Sequence, residues 1–131
     1  MRTKLLMSAS AGVMALTGIG LTFLPDEILG YFDVSPTALL PLILQVLGAL
    51  YFAFAMLNWM AKGNLIGGIY SRPVAIANVT HFVVGGLALL KGAVANPGFT
   101  SLWVAGAVYS LFAILFSSVL FRHPLKNGDS R

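Results

Sequence analysis

The sequence predicts an all-α integral membrane protein, a four-helix bundle with its N- and C-termini cytoplasmic and a short interfacial segment after the first span. Three observations carry that expectation. Four apolar runs, at 5–24, 38–61, 74–90 and 99–121, fill nearly all of the 131 residues, and each approaches the 20 or so apolar residues that a helix needs to cross about 30 Å of hydrocarbon. The chain is 58% hydrophobic and 9% charged, with a mean hydropathy of +0.89, whereas soluble domains carry about 25% charged residues. The charges that remain are sorted by side, as described below. With capping signals included, the spans fall at about 5–24, 36–61, 73–91 and 99–121 of a single transmembrane domain, 1–131.

The first span follows Met1-Arg2-Thr3-Lys4. A basic leader before an apolar run also opens a signal peptide, but this run is long and ends in Pro25-Asp26-Glu27 with no small-x-small cleavage signal, so it reads as an uncleaved span. In the first connection, acids at Asp26 and Glu27 suit a helix N-terminus, and Ile28, Leu29 and Phe32 form one apolar stripe at helical spacing. This predicts a short helix lying on the outer membrane face, with Gly30 the residue that argues for a loop instead.

The second span is expected to start at Ser35-Pro36, an N-cap followed by proline at the first helical position, with Pro41 kinking its first turns. Lys62-Gly63-Asn64 is a helix stop, a basic last turn before a residue able to take positive φ. Ser71-Arg72-Pro73 starts the third span in the same way. Asn96-Pro97-Gly98 is a turn that sets spans three and four in a tight hairpin. Trp59, Tyr70 and Trp103 fall near span ends, where aromatic belts lie.

Of the 8 Lys and Arg residues, Arg2, Lys4, Lys62, Arg72, Arg122, Lys126 and Arg131 fall on one side of this arrangement and Lys91 on the other, with Asp26, Glu27 and Asp33. By the positive-inside rule the first side is cytoplasmic. An even number of spans then brings both termini there. Cations confined to span ends report orientation, so the net charge of +4 does not call for nucleic acid. The absence of cysteine removes disulfides, thiol redox chemistry and thiolate metal sites.

Helices in lipid approach through small residues. Gly106, Ser110, Ala113 and Ser117 make a helix-packing stripe on the fourth span, joined by Ser8 with Gly12 and Ala11 with Ala15 on the first, and Ala49 with Ala53 on the second. The stripes fit internal packing or a homo-oligomer seam.

Function falls to the polar groups that are costly in hydrocarbon: Gln45, Asn58, Asn78 and His81, with Tyr51 and Tyr109 beside them. Asn78 and His81 share a face of the third span, which Gly85 continues, and His81 lies roughly 13 Å from Arg72, near the midplane. Tyr51 and Asn58 share a face of the second. Asn58 and Asn78, both near cytoplasmic span ends, are placed to meet across the connecting loop. Tyr51, Asn58, Asn78 and His81 are therefore the candidate ligand-binding set, a polar pocket for a lipid or quinone-like molecule or a proton path through the imidazole. The competing possibility is that these groups satisfy one another and fix helix register.

His123, beside Arg122 and Pro124, reads as a solvated flank, and Lys91 as a snorkelling cation. No acid lies inside a span, and one intramembrane histidine lacks the partners of a metal site or catalytic triad. No catalytic residue, metal or cofactor is therefore expected, and enzyme activity is disfavoured. No phosphate loop, charged ring or carbonyl filter is evident.

The string from Leu47 through Trp59, LGALYFAFAMLNW, followed by Arg72-Pro73 and then His81, resembles the DoxX-like group of small bacterial four-helix membrane proteins. An acidic residue often found in the second span of that group is absent, since Gly48 is followed by Ala49, Leu50, Tyr51 and Phe52. The resemblance implies a bacterial inner-membrane location and association with membrane redox or other complexes, and it carries over no catalytic residue.

The expected function is thus that of a non-enzymatic multi-pass inner-membrane protein, an accessory subunit or a binder of a hydrophobic small molecule. Its partners are membrane lipids, that small molecule, and further copies or a larger membrane complex. The alternatives are an oligomeric transporter or channel, and a membrane enzyme using His81 as acid or base.

Overall fold

The structure, a computed structural model, describes residues 3–63 and 71–121. Arg2, Asn64, Gly67-Gly68, Tyr70, and the tail with Arg122, His123, Pro124, Lys126 and Arg131 lie outside the described residues. Every regular element described is helical: α1 Thr3–Phe23, α2 Pro25–Tyr31, α3 Leu40–Ala61, α4 Arg72–Ala95 and α5 Thr100–Phe121. Of these, α1, α3, α4 and α5 are long and apolar enough to cross a membrane. The chain divides into two compact units, Met1–Gly63 and Asn64–Arg131.

In the first unit α2 is the short helix expected after the first span. Pro25 opens it, Asp26 and Glu27 occupy its first turn, and Leu29 is buried with Ile28 and Phe32 half-buried beside it. It closes on Asp33, the one non-glycine residue described with positive φ, at 55°. The Asp33 N–H donates to the Gly30 carbonyl at 3.2 Å and the Val34 N–H to the Leu29 carbonyl at 3.0 Å. These are the paired bonds of a Schellman cap, with aspartate in the left-handed place that glycine usually takes.

The start of α3 differs from the expectation. The helix begins at Leu40 after Leu39, with Pro41 in its first turn, and makes no side-chain cap bond. Begun at Pro36, it would carry Pro41 in its second turn, where proline removes a helical hydrogen bond and its ring strikes the carbonyl four residues back. Begun at Leu40, the same proline occupies a position whose N–H needs no partner. The kink is avoided by moving the start. At the other end α3 stops before Lys62, as expected, but Lys62 stays right-handed at φ −59° and no glycine described takes positive φ.

α1 and α3 run antiparallel, with Ser10 beside Asn58 and Gly18 beside Gly48. A Cβ on Gly18 would lie 2.9 Å from the Gly48 carbonyl oxygen and 3.0 Å from the Phe52 nitrogen. One on Gly48 would strike the Thr22 hydroxyl and lie 2.8 Å from the Gly18 carbonyl oxygen. The two backbones touch, and only glycine at both places permits it. The buried stripe of α3 is Gly48, Ala55, Asn58 and Ala61. Ala49 and Ala53, paired from spacing, are exposed on another face of α3, as is Gln45, because the seven-residue recurrence set by Gly48 and Ala55 governs the contact.

In the second unit α4 starts after Ser71, whose side chain makes no cap bond, with Pro73 in the first turn. The expected turn joins α4 to α5. The Asn96 N–H and its side-chain amide both donate to the Gly92 carbonyl, at 2.9 Å and 3.1 Å, and the Phe99 N–H returns to the Asn96 carbonyl at 3.2 Å.

Rings form the α4–α5 contact. Phe82 is fully buried, stacked on Phe112 at 4.9 Å and on Phe116 at 5.6 Å between centroids. Gly106 is buried on α5, where a Cβ would meet the Leu90 side chain at 2.7 Å. Ser110 and Ala113 line a shallow groove with Phe82, Gly86 and Leu90, and Ser117 is half-buried one turn beyond.

Outside these seams the helices present apolar side chains, among them Leu42, Ile43, Val46 and Leu50 on α3 and Val84, Leu87, Leu111 and Ile114 in the second unit. The fully buried set includes Ser10, Asn58 and Asn78. Large aliphatic groups over so much of the outward faces depart from what a chain folded in water presents.

Candidate functional site

Among the described residues, each unit shows a pair of polar side chains that meet between its two long helices. In the first, the Asn58 amide nitrogen donates to Ser10 Oγ at 3.1 Å and approaches Met14 Sδ at 3.7 Å. The Ser10 hydroxyl passes its own hydrogen to the Met7 carbonyl at 3.0 Å. Asn58 and Ser10 are both at 0% exposure. This relay joins the interior of α3 to the backbone of α1, and a buried amide bonded in this way fixes how the two helices slide past one another. Tyr51, seven residues earlier on α3, is half-buried.

In the second unit, His81 Nε2 lies 3.3 Å from the Tyr109 hydroxyl oxygen. The hydroxyl donates to Nε2 or accepts from Nε2–H according to the imidazole tautomer. The rings are 5.5 Å apart and tilted. Phe82 meets both edge-on, at 5.2 Å from His81 and 5.1 Å from Tyr109, so the Phe82, Phe112 and Phe116 stack buttresses the pair from inside. Tyr109 is buried while His81 is half-buried.

Gly85 gives Tyr109 its room. A Cβ there would lie 2.8 Å from Tyr109 Cε1 and 3.1 Å from Cδ1, so the phenol rests against bare helix backbone one turn from His81. Asn78, at 0% exposure, donates its amide hydrogen to the Val74 carbonyl at 2.9 Å within α4.

Of the four expected ligand-binding residues, Tyr51 and Asn58 therefore belong to the first unit, and Asn78 and His81 to the second. The sequence names Tyr109 beside the polar groups without pairing it to His81, and it does not single out Ser10. For Tyr109 the signal is present, since Gly85 and Tyr109 stand at equal distances on either side of Pro97, and a tight hairpin brings equidistant residues together. Phe82 and Phe112 obey the same rule. Ser10 offers no such count, because the connection from α1 to α3 contains another helix.

Among the described residues no three His, Cys, Asp or Glu side chains gather into a metal-binding group. Comparison with family models, curated proteins and solved structures gives no match to this chain.

Proposed function

We propose that this chain is a multi-pass protein of a bacterial inner membrane, a four-helix bundle with both termini cytoplasmic, that binds a hydrophobic, carbonyl-bearing small molecule of quinone-like or lipid type at His81 and Tyr109. The observation that carries it is the 3.3 Å pair itself. An imidazole and a phenol placed together on two adjacent apolar helices, one of them partly exposed, present a polar contact where hydrocarbon offers none. A ligand carbonyl reaching that face gains a hydrogen-bond donor, and the remainder of the molecule lies among aliphatic side chains. The DoxX-like layout is in keeping with this location, and the basic residues at one set of helix ends support the orientation.

The same pair also serves helix register, and one experiment separates the two roles. The protein is extracted in mild detergent and its co-purifying small molecules are identified by mass spectrometry, for the natural sequence, His81→Ala and Tyr109→Phe. A lipid-soluble carbonyl compound is expected with the natural sequence and is lost from both variants. An empty natural protein, together with a His81→Ala variant changed only in melting temperature, assigns the pair to register alone.

A further inference from the structure

We propose that a groove between α1 and α3 seats one acyl chain of an anionic phospholipid, whose phosphate meets Lys62. This rests on the membrane-spanning part of the function proposed above and is independent of the His81 site. The groove is lined by Gly12, Ala15, Phe52, Ala55, Met56 and Trp59, is open on one side and holds about 350 Å³. Phe52 and Trp59 are 46% and 52% exposed.

From Phe52 to Trp59 the groove follows about 10 Å of helix rise, a length along which a segment of extended acyl chain can lie.

Charge selects the head group. At the Trp59 end the Lys62 Nζ lies 2.8 Å over the indole ring centroid, which holds the ammonium at the mouth of the groove by cation–π attraction. Because α1 and α3 are antiparallel, the exposed Lys4 belongs to the same end. The acids of the first unit, Asp26, Glu27 and Asp33, follow α1 at its far end, about 30 Å along the helix from Lys4. An apolar slot ending beside the Lys62 ammonium matches a single acyl chain below a phosphate.

The test adds dioleoyl phosphatidylglycerol or dioleoyl phosphatidylcholine to the detergent-purified full chain and counts bound lipid by native mass spectrometry. The natural sequence should retain phosphatidylglycerol about fivefold more than phosphatidylcholine, the ratio expected from one cation near a membrane surface. Lys62→Gln should remove that preference. Gly12→Leu should lower retention of both lipids, and it should do so without loss of fold, because nothing lies within 4 Å of a Cβ at Gly12 and leucine favours the helix; an unchanged or raised melting temperature checks this.

Equal retention of the two lipids by the natural sequence would overturn the proposal, as would a preference that survives Lys62→Gln or retention untouched by Gly12→Leu. So would a concentration-dependent dimer that Gly12→Leu dissociates, since the groove would then belong to a second copy. A chain that stays dissolved without detergent removes the membrane reading before any lipid is added, and the lipid site with it. Loss of the small molecule from His81→Ala leaves this outcome unchanged.

Discussion

A Cβ added at Gly18 or Gly48 meets the backbone of the opposite helix, at 2.9 Å from the Gly48 carbonyl oxygen and 2.8 Å from that of Gly18. Added at Gly85, it meets the edge of the Tyr109 ring at 2.8 Å. The first unit thus holds its long helices together backbone to backbone, with a buried amide to fix the register, and the second holds them together through rings. The difference matters because backbone cannot move aside without moving a helix, whereas a ring can turn. A tight contact therefore means different things in the two halves of the chain.

The largest expected effect breaks the first contact. Gly48→Ala gains about 1 kcal/mol of helix propensity, but overpacking against backbone costs up to about 3 kcal/mol, so a net loss near 2 kcal/mol is expected. Denaturant-driven unfolding in mixed micelles measures it. Gly12→Ala is the control, since its Cβ meets open space, and it should be neutral or slightly stabilising. If the two glycines respond alike, backbone contact is not what closes the first unit.

Gly85→Ala sharpens the comparison. The same gain in propensity is set against a cost of about 1 kcal/mol for displacing an aromatic side chain, so stability should change little. The ring should nevertheless turn away from His81. Near-ultraviolet circular dichroism of the tyrosine and the retention of any His81-bound molecule should both change while the unfolding midpoint does not. A midpoint that falls as far as in Gly48→Ala would show that the second unit is as rigid at this point as the first.

What was legible in the sequence follows the same division between local and distant information. Helix α2 and the turn at Asn96 are set by residues next to one another, and the sequence indicates both. The start of α3 falls later than Ser35-Pro36 indicates, because two prolines compete and the choice depends on which leaves fewer broken helical bonds. Spacing points to Ala49 with Ala53 and not to Gly18 with Gly48, because small residues recur on several faces of an apolar helix and spacing alone does not say which face meets a neighbour. In the second unit the tight turn supplies a ruler, and counting outward from Pro97 matches Gly85 with Tyr109 and Phe82 with Phe112. In the first, α2 interrupts the connection and no such count reaches from Ser10 to Asn58.

The smallest expected effect compares the two polar pairs directly. A double-mutant cycle with Ser10→Ala and Asn58→Ala isolates the amide–hydroxyl term, and pairs of this kind between membrane helices average about 0.6 kcal/mol, reaching about 1.7. Both side chains are at 0% exposure and the bond is 3.1 Å, which places the coupling in the upper part of that range. The matching cycle with His81→Ala and Tyr109→Phe joins a half-buried imidazole across 3.3 Å, and its coupling should be smaller. A larger coupling for His81 and Tyr109 would reverse the assignment. The second pair would then be the one that sets helix register, and the imidazole would have less freedom to exchange Tyr109 for a bound carbonyl.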